Sequence, residues 1–188
     1  MLVLGIDPGS ETTGWGVVEG NARRYGLVGF GTVKASPRER FAARLLKISD
    51  GIEALIARYA PEVCAVEDSF FAANAQTALK LGQVRGVVLV AAERAGIEIA
   101  EYAPRLIKQT VVGYGAAEKH QVQEMVRVLL RLSTVPAPHD ASDALAIAIC
   151  HLHHAAMPKP TKTATKTSAR SKLETLLAAN PRGRRARR

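Results

Sequence analysis

Cysteine is scarce in this chain. Cys64 and Cys150 lie in apolar segments and share no metal-ligand spacing. That excludes a disulfide framework and a thiolate metal site, and it reads as reduced core thiols in the cytoplasm. No apolar run is long enough to cross a membrane, and Met1 leads into a strand-like segment rather than a secretory leader. Internal repeats are absent. Net charge is also missing from most of the chain. The formal total is +9, but ten of the 26 Lys and Arg and one of the 17 acids fall in 157–188. Sixteen bases and sixteen acids remain in 1–156, so a basic pI does not by itself assign nucleic acid to this part; a DNA face there depends on where balanced charges are placed.

What is present is enough for one core. At 188 residues and 47% hydrophobic content, the chain suits a single domain over 1–156. The segment 157–188, low in apolar residues and ending in a charge run, reads as a basic, mostly disordered tail.

The organising stretch is Leu2-Val3-Leu4-Gly5-Ile6-Asp7-Pro8-Gly9-Ser10. An apolar run closed by Pro and Gly predicts a strand buried on both faces. Asp7 then stands at its C-terminal end, the edge where ligands bind in open α/β sheets. Trp15–Val18 and Tyr25–Val33 read as two further strands of an antiparallel meander. Ser36-Pro37 opens a helix that carries Glu39 in its first turn and ends near Ala60-Pro61. Val63–Val66 repeats the first pattern, with Glu67 at the end of the strand. The intervening helix predicts that this strand runs parallel to the first, which brings Asp7 and Glu67 to one edge. Asn74 caps a helix to about Ala95, in which Gly82 and Gly86 mark close packing. A fifth strand is expected over Gly96–Ala100, then helices over Pro104–Val112, Glu118–Leu132 and Asp140 to about His153. This order predicts an α/β fold with a five-stranded sheet of mixed direction flanked by helices.

The last helix opens Asp140-Ala141-Ser142-Asp143. Residues three apart share a helix face, and the dipole favours acids in the first turn. Helix-start chemistry alone accounts for such a pair. The small apolar run Ala144–Ile149 behind it, however, predicts a helix packed closely on the sheet, with its N-terminus at the Asp7 and Glu67 edge. Four acids there repel by about 4 kcal/mol per pair at ~4 Å and an effective dielectric near 20. Hard divalent cations relieve that repulsion, and two such ions suit phosphodiester hydrolysis.

Gly5–Ser10, Val66-Glu67, Ala78–Gln83, Lys108–Gly113 and Asp140–Ala146 together resemble the RuvC family, bacterial Holliday-junction resolvases, over roughly residues 1–154. The resemblance implies a ribonuclease-H-like fold, a homodimer, Mg²⁺-dependent symmetric nicking of two strands of a four-way junction, and the RuvA and RuvB branch-migration proteins as partners. It implies two Mg²⁺ per subunit, with Mn²⁺ able to substitute, and it makes Asp7, Glu67, Asp140 and Asp143 the metal-binding catalytic acids. Lys108 and Lys119 match lysines placed near the scissile phosphate; a solvated helix face is the plainer account of both. Phe70 and Phe71 either stack on unpaired junction bases or plug the core. Lys80 and Arg85 are candidates for DNA-backbone contact. His139 either touches the attacking water or a metal, or is an exposed residue before the helix. His151, His153 and His154 read as a fraying helix end.

Competing readings remain at this point. An actin-like ATPase needs a second lobe that this length lacks. A non-catalytic DNA-binding module is disfavoured by four acids in a neutral body. A ribonuclease of the same fold is the third.

Overall fold

The computed structural model describes residues 1–68 and 74–155. In chain order they form β1 (Leu2–Asp7), β2 (Thr12–Asn21), β3 (Arg24–Lys34), α1 (Phe41–Tyr59), β4 (Val63–Glu67), α2 (Ala75–Arg94), β5 (Glu98–Tyr102), α3 (Pro104–Val112), α4 (Lys119–Leu129) and α5 (His139–Ala155). Phe70, Phe71 and the basic segment 157–188 lie outside the described residues.

The sheet order is β3-β2-β1-β4-β5. The first three strands are antiparallel, whereas β1, β4 and β5 run parallel. This is the mixed five-stranded sheet expected. β1 is central because it can be buried on both faces, and Val3, Leu4 and Ile6 are fully buried. Val3 belongs to the core under α3, α4 and α5, with Val63, Ala65, Leu145 and Ile147. Leu4 and Ile6 join the other core, under α1 and α2, with Cys64, Ile48, Ile52, Val84 and Val88. Both cysteines are free and buried.

α5 lies directly on the sheet, and glycine makes that approach possible. A Cβ at Gly5 would overlap the Ala144 carbonyl oxygen, and one at Gly14 the Asp140 carbonyl oxygen. At Gly16 it would press into the Leu145 side chain and amide. These strand glycines serve close backbone approach rather than a turn.

Several boundaries differ from expectation. Ser36-Pro37 does not open α1; it makes a turn closed by the Glu39 amide donating to the Ser36 carbonyl at 3.0 Å, and the helix starts at Phe41. Pro37 takes the position after the first residue of a turn, a site as favourable to its fixed φ as a first helical turn. β5 begins at Glu98 because Gly96 adopts φ +67° in the preceding turn. α4 ends at Leu129, where Arg131 turns left-handed (φ 55°) and the Leu132 amide reaches back to the Arg127 carbonyl at 2.9 Å. Gly82 and Gly86 do not mark close packing within the subunit, since a Cβ at either meets nothing within 4 Å among the described residues. The C-terminal histidines are not frayed. His151 is buried and its Nδ1 lies 2.9 Å from the Tyr102 hydroxyl, while His154 Nε2 lies 3.0 Å from Thr110 Oγ1.

Candidate active site

Asp7 occupies the last position of β1, and the turn after it is pinned from two sides. Thr13 Oγ1 donates to the Gly9 carbonyl at 2.8 Å. The buried Arg44 guanidinium donates to the Ser10 carbonyl, with Nε at 3.0 Å. Asp7 also pairs in register with Gly14, the residue on which the Asp140 backbone rests. The missing Cβ at Gly14 therefore sets the distance between the end of β1 and the N-terminus of α5. β4 runs parallel to β1 with Ile6 opposite Val66, so Glu67 emerges beside Asp7.

The electrostatics report the same convergence. The Asp7 carboxyl is pushed up to about 7, first by burial and then by the charges of Glu67, Asp143 and Asp140; Lys119 pulls the other way. Two chain segments, Glu67 and the start of α5, each more than fifty residues from Asp7 and from each other, thus act on one carboxyl group. Lys119 Nζ, at the first position of α4, lies 2.7 Å from Asp143 Oδ2. Burial works against its charge, but the hydrogen bond and charge of Asp143, with Asp7 and Asp140, outweigh that and hold its pKa above the usual lysine value.

A cavity of about 200 Å³ opens between α3, α4 and α5, lined by Glu67, Asp143, Lys108 and Lys119 over an apolar floor that includes Ile107 and Val122. On the other side of Glu67, a smaller cavity is lined by Asp7, Pro8, Leu81 and Arg85. The four acids and the two lysines are thus gathered at one end of the sheet. Lys80 is exposed on α2. The Arg85 guanidinium is engaged by protein carboxylates, ion-pairing Glu101 and, at 3.2 Å, Asp68. His139 begins α5, and its Nδ1 is 2.9 Å from Nε2 of the buried Gln123.

The donor set suits a hard cation. It consists of carboxylate oxygens, and burial together with the neighbouring acid charges pushes the Asp7 carboxyl up to about 7, a cost that a bound cation would relieve. Among the described residues, no three His, Cys, Asp or Glu side chains are already drawn to ligand spacing.

Sequence reasoning missed Asp68, Glu101 and Gln123. Gln123 carried a signal, since a polar residue follows Val122 on the buried face of α4. Glu101 carried none, because its partner is brought to it by tertiary packing.

Comparison with known proteins agrees with this geometry. Residues 3–151 match the family model described as Crossover junction endodeoxyribonuclease RuvC. A crossover junction endodeoxyribonuclease RuvC of Heliobacterium modesticaldum is 50% identical over 153 residues, covering 81% of this chain and 94% of that protein. Thermus thermophilus RuvC, solved in complex with a Holliday junction substrate, superposes with a TM-score of 0.79 at 40% identity, covering 82% of this chain and 94% of that one. The yeast mitochondrial Holliday junction resolvase Ydc2, at 15% identity and a TM-score of 0.57, covers 80% of this chain and 78% of its own and shares the fold. With its ribonuclease-H-like sheet and acids gathered at the ends of β1, β4 and α5, the chain belongs to the RuvC family of crossover junction endodeoxyribonucleases.

Proposed function

We propose that this protein is a Mg²⁺-dependent endonuclease that resolves Holliday junctions by symmetric nicking of two strands. The observation that carries this reading is the convergence of Asp7 at the end of β1, Glu67 at the end of the parallel β4 and the Asp140–Asp143 start of α5 on one end of the sheet, where burial and then their charges raise the Asp7 pKa. Divalent-metal dependence follows from membership of the family; two Mg²⁺ per subunit, with Mn²⁺ as a substitute, is the finer assignment. Asp7, Glu67, Asp140 and Asp143 supply the carboxylate oxygens. When bound, the ions provide Lewis-acid stabilisation of the attacking and leaving oxygens of the phosphodiester. Lys119 and Lys108, on the wall of the same cavity, neutralise the phosphate as charge builds on it. Gln123 holds the His139 ring from behind, beside the acid end of α5. Phe70 and Phe71 follow Glu67 by three and four residues in sequence, a spacing suited to stacking on unpaired bases of a junction centre. Lys80 is a candidate for backbone contact at the same face.

A junction has two equivalent cleavage points, which a two-fold dimer matches. The outward side of α2 supports such an interface: Leu79 and Val90 are 69% and 51% exposed, and between them Gly82 and Gly86 border open space. The segment 157–188 adds sequence-independent affinity for DNA through its ten Lys and Arg. RuvA and RuvB are the expected partners, and the cytoplasm the expected compartment. No described helix is long and apolar enough to cross a membrane.

Incubation with a synthetic four-way junction, the matching linear duplex and a structured RNA, each with Mg²⁺ or EDTA, tests the reading. Paired nicks at symmetry-related positions of the junction, in Mg²⁺ alone, are expected. Preferential RNA cleavage would favour a ribonuclease of the same fold, and equal cleavage of duplex and junction would remove the structure specificity.

A further inference from the structure

Arg85 reaches from α2 to the C-terminal ends of two parallel strands. Its guanidinium ion-pairs Glu101 of β5 and lies 3.2 Å from Asp68 Oδ1, the residue after Glu67. Glu101 pairs in register with Val66, Tyr102 pairs with Glu67, and the Asp68 amide continues the ladder to the Tyr102 carbonyl at 2.8 Å. Arg85 also lines the small cavity whose other walls include Asp7 and Glu67. Its side chain is 23% exposed, so the guanidinium is largely committed to these partners.

We propose that Arg85 is a positioning residue: its ion pairs with Asp68 and Glu101 fix the end of β4 that carries Glu67, and its single positive charge offsets one of the two negative charges they place beside the acid cluster. This rests on the nuclease reading, in which Glu67 is one of the metal-holding acids. Without the guanidinium, six carboxylates would crowd one end of the sheet with Lys108 and Lys119 as the nearby cations, and Glu67 would lose the charged strap on its neighbour. Both carboxylates meet the same Nη2 of Arg85, and the delocalised, weakly hydrated guanidinium is held in this half-buried place at a lower desolvation cost than a lysine ammonium. This role differs from the DNA-backbone contact expected of Arg85 from sequence, and the two predict opposite kinetic signatures. A phosphate contact acts on junction binding and its salt dependence. A positioning residue acts on turnover at saturating junction.

The test compares wild type, Arg85→Gln, Arg85→Lys and the triple variant Arg85→Gln/Asp68→Asn/Glu101→Gln. Junction affinity is measured in EDTA, and single-turnover cleavage at saturating junction across a Mg²⁺ titration. Arg85→Gln is expected to slow cleavage about 30-fold or more and to raise the half-saturating Mg²⁺ concentration, with affinity in EDTA unchanged within about twofold. Arg85→Lys should fall between it and wild type. The triple variant should recover about tenfold over Arg85→Gln, because the carboxylates left unpaired are neutralised with it. A tenfold loss of affinity in EDTA with an unchanged saturating rate overturns the proposal, as does a triple variant no faster than Arg85→Gln. If Arg85→Gln does not fold, the triple variant decides alone: cleavage within about tenfold of wild type with wild-type affinity supports the proposal, and any other result overturns it. A wild-type protein that leaves the junction intact overturns the nuclease reading itself, and the proposal with it.

Discussion

Lys119 Nζ and Asp143 Oδ2 stand 2.7 Å apart, joining the first residue of α4 to the N-terminal end of α5. The lysine is more than half exposed while the aspartate is mostly buried, so the cation sits at the rim and the acid inside. Under the proposed nuclease reading, a phosphate approaching from solvent would meet the ammonium before the carboxylates. Lys119→Met should therefore cut the single-turnover rate on a four-way junction by about 10²-fold, the loss typical of one transition-state charge partner, with Lys119→Arg intermediate. A rate within twofold of wild type for the methionine variant would remove Lys119 from the chemistry.

The raised pKa of Asp7 makes metal-free stability depend on pH. The unfolded chain ionises this carboxyl near 3.8, the folded one near 7. Between those values the folded protein binds more protons than the unfolded chain, so stability falls as pH rises and the loss is complete above about 7. Asp7→Asn removes that cost. In EDTA the variant should melt about 5 °C above wild type at pH 8 and together with it at pH 4. Coincident melting at both pH values would contradict the electrostatic account. Saturating Mg²⁺ should reverse the order at pH 8, because it stabilises wild type by mass action and the variant little.

The approach of α5 to the sheet gives a packing prediction independent of function. Alanine at Gly5 or Gly14 would place a methyl group on the α5 backbone. Denaturant unfolding should show a loss of about 3 kcal/mol or more for each, at the upper end of overpacking costs because helix backbone cannot rotate away. Gly14→Ala should also lower activity beyond its effect on stability, since it pushes Asp140 from Asp7. A stable and fully active Gly14→Ala protein would mean that the close approach is not needed.

Much of this was legible in the sequence, for a physical reason. The Leu2–Ile6 run followed by Asp7, and its echo in Val63–Val66 followed by Glu67, are strand signals that need no tertiary information. The parallel direction of β4 beside β1 then follows from the crossover helix, while the register that sets Ile6 opposite Val66 is visible only in the structure. The Asp140 and Asp143 pair was readable because it opens a helix with small residues behind it. What the sequence hid was reciprocal. Gly5, Gly14 and Gly16 look like weak points of two strands until α5 is seen lying on them. Arg85 looks like a solvent-facing helix cation until Asp68 and Glu101 converge on it. His151 looks like part of a loose end until Tyr102 meets it. In each case the partner is distant in the chain and of an ordinary residue type, so no local pattern records the pair.

The outward face of α2 predicts an assembly. Leu79→Asp combined with Val90→Asp puts two charges where exposed apolar groups flank two glycines. Sedimentation at micromolar concentration should shift from dimer to monomer, with junction cleavage falling at least tenfold and becoming steeply concentration-dependent. An unchanged dimer would move the interface elsewhere.

Deleting 157–188 removes ten bases and one acid. The slope of log affinity for DNA against log salt should flatten by several units, since each phosphate neutralised contributes about 0.9 to it. An unaltered slope would show that these bases do not touch DNA.

The most direct measurement is junction cleavage by Asp7→Asn and Glu67→Gln in Mg²⁺, alongside junction binding in EDTA. Each change keeps the shape of its side chain and removes one charge from the cluster. The account predicts cleavage reduced at least about 10³-fold by either substitution, with binding kept or tightened. Wild-type cleavage by either variant would mean that these carboxylates, although gathered at one end of the sheet, do not hold the ions that cut DNA.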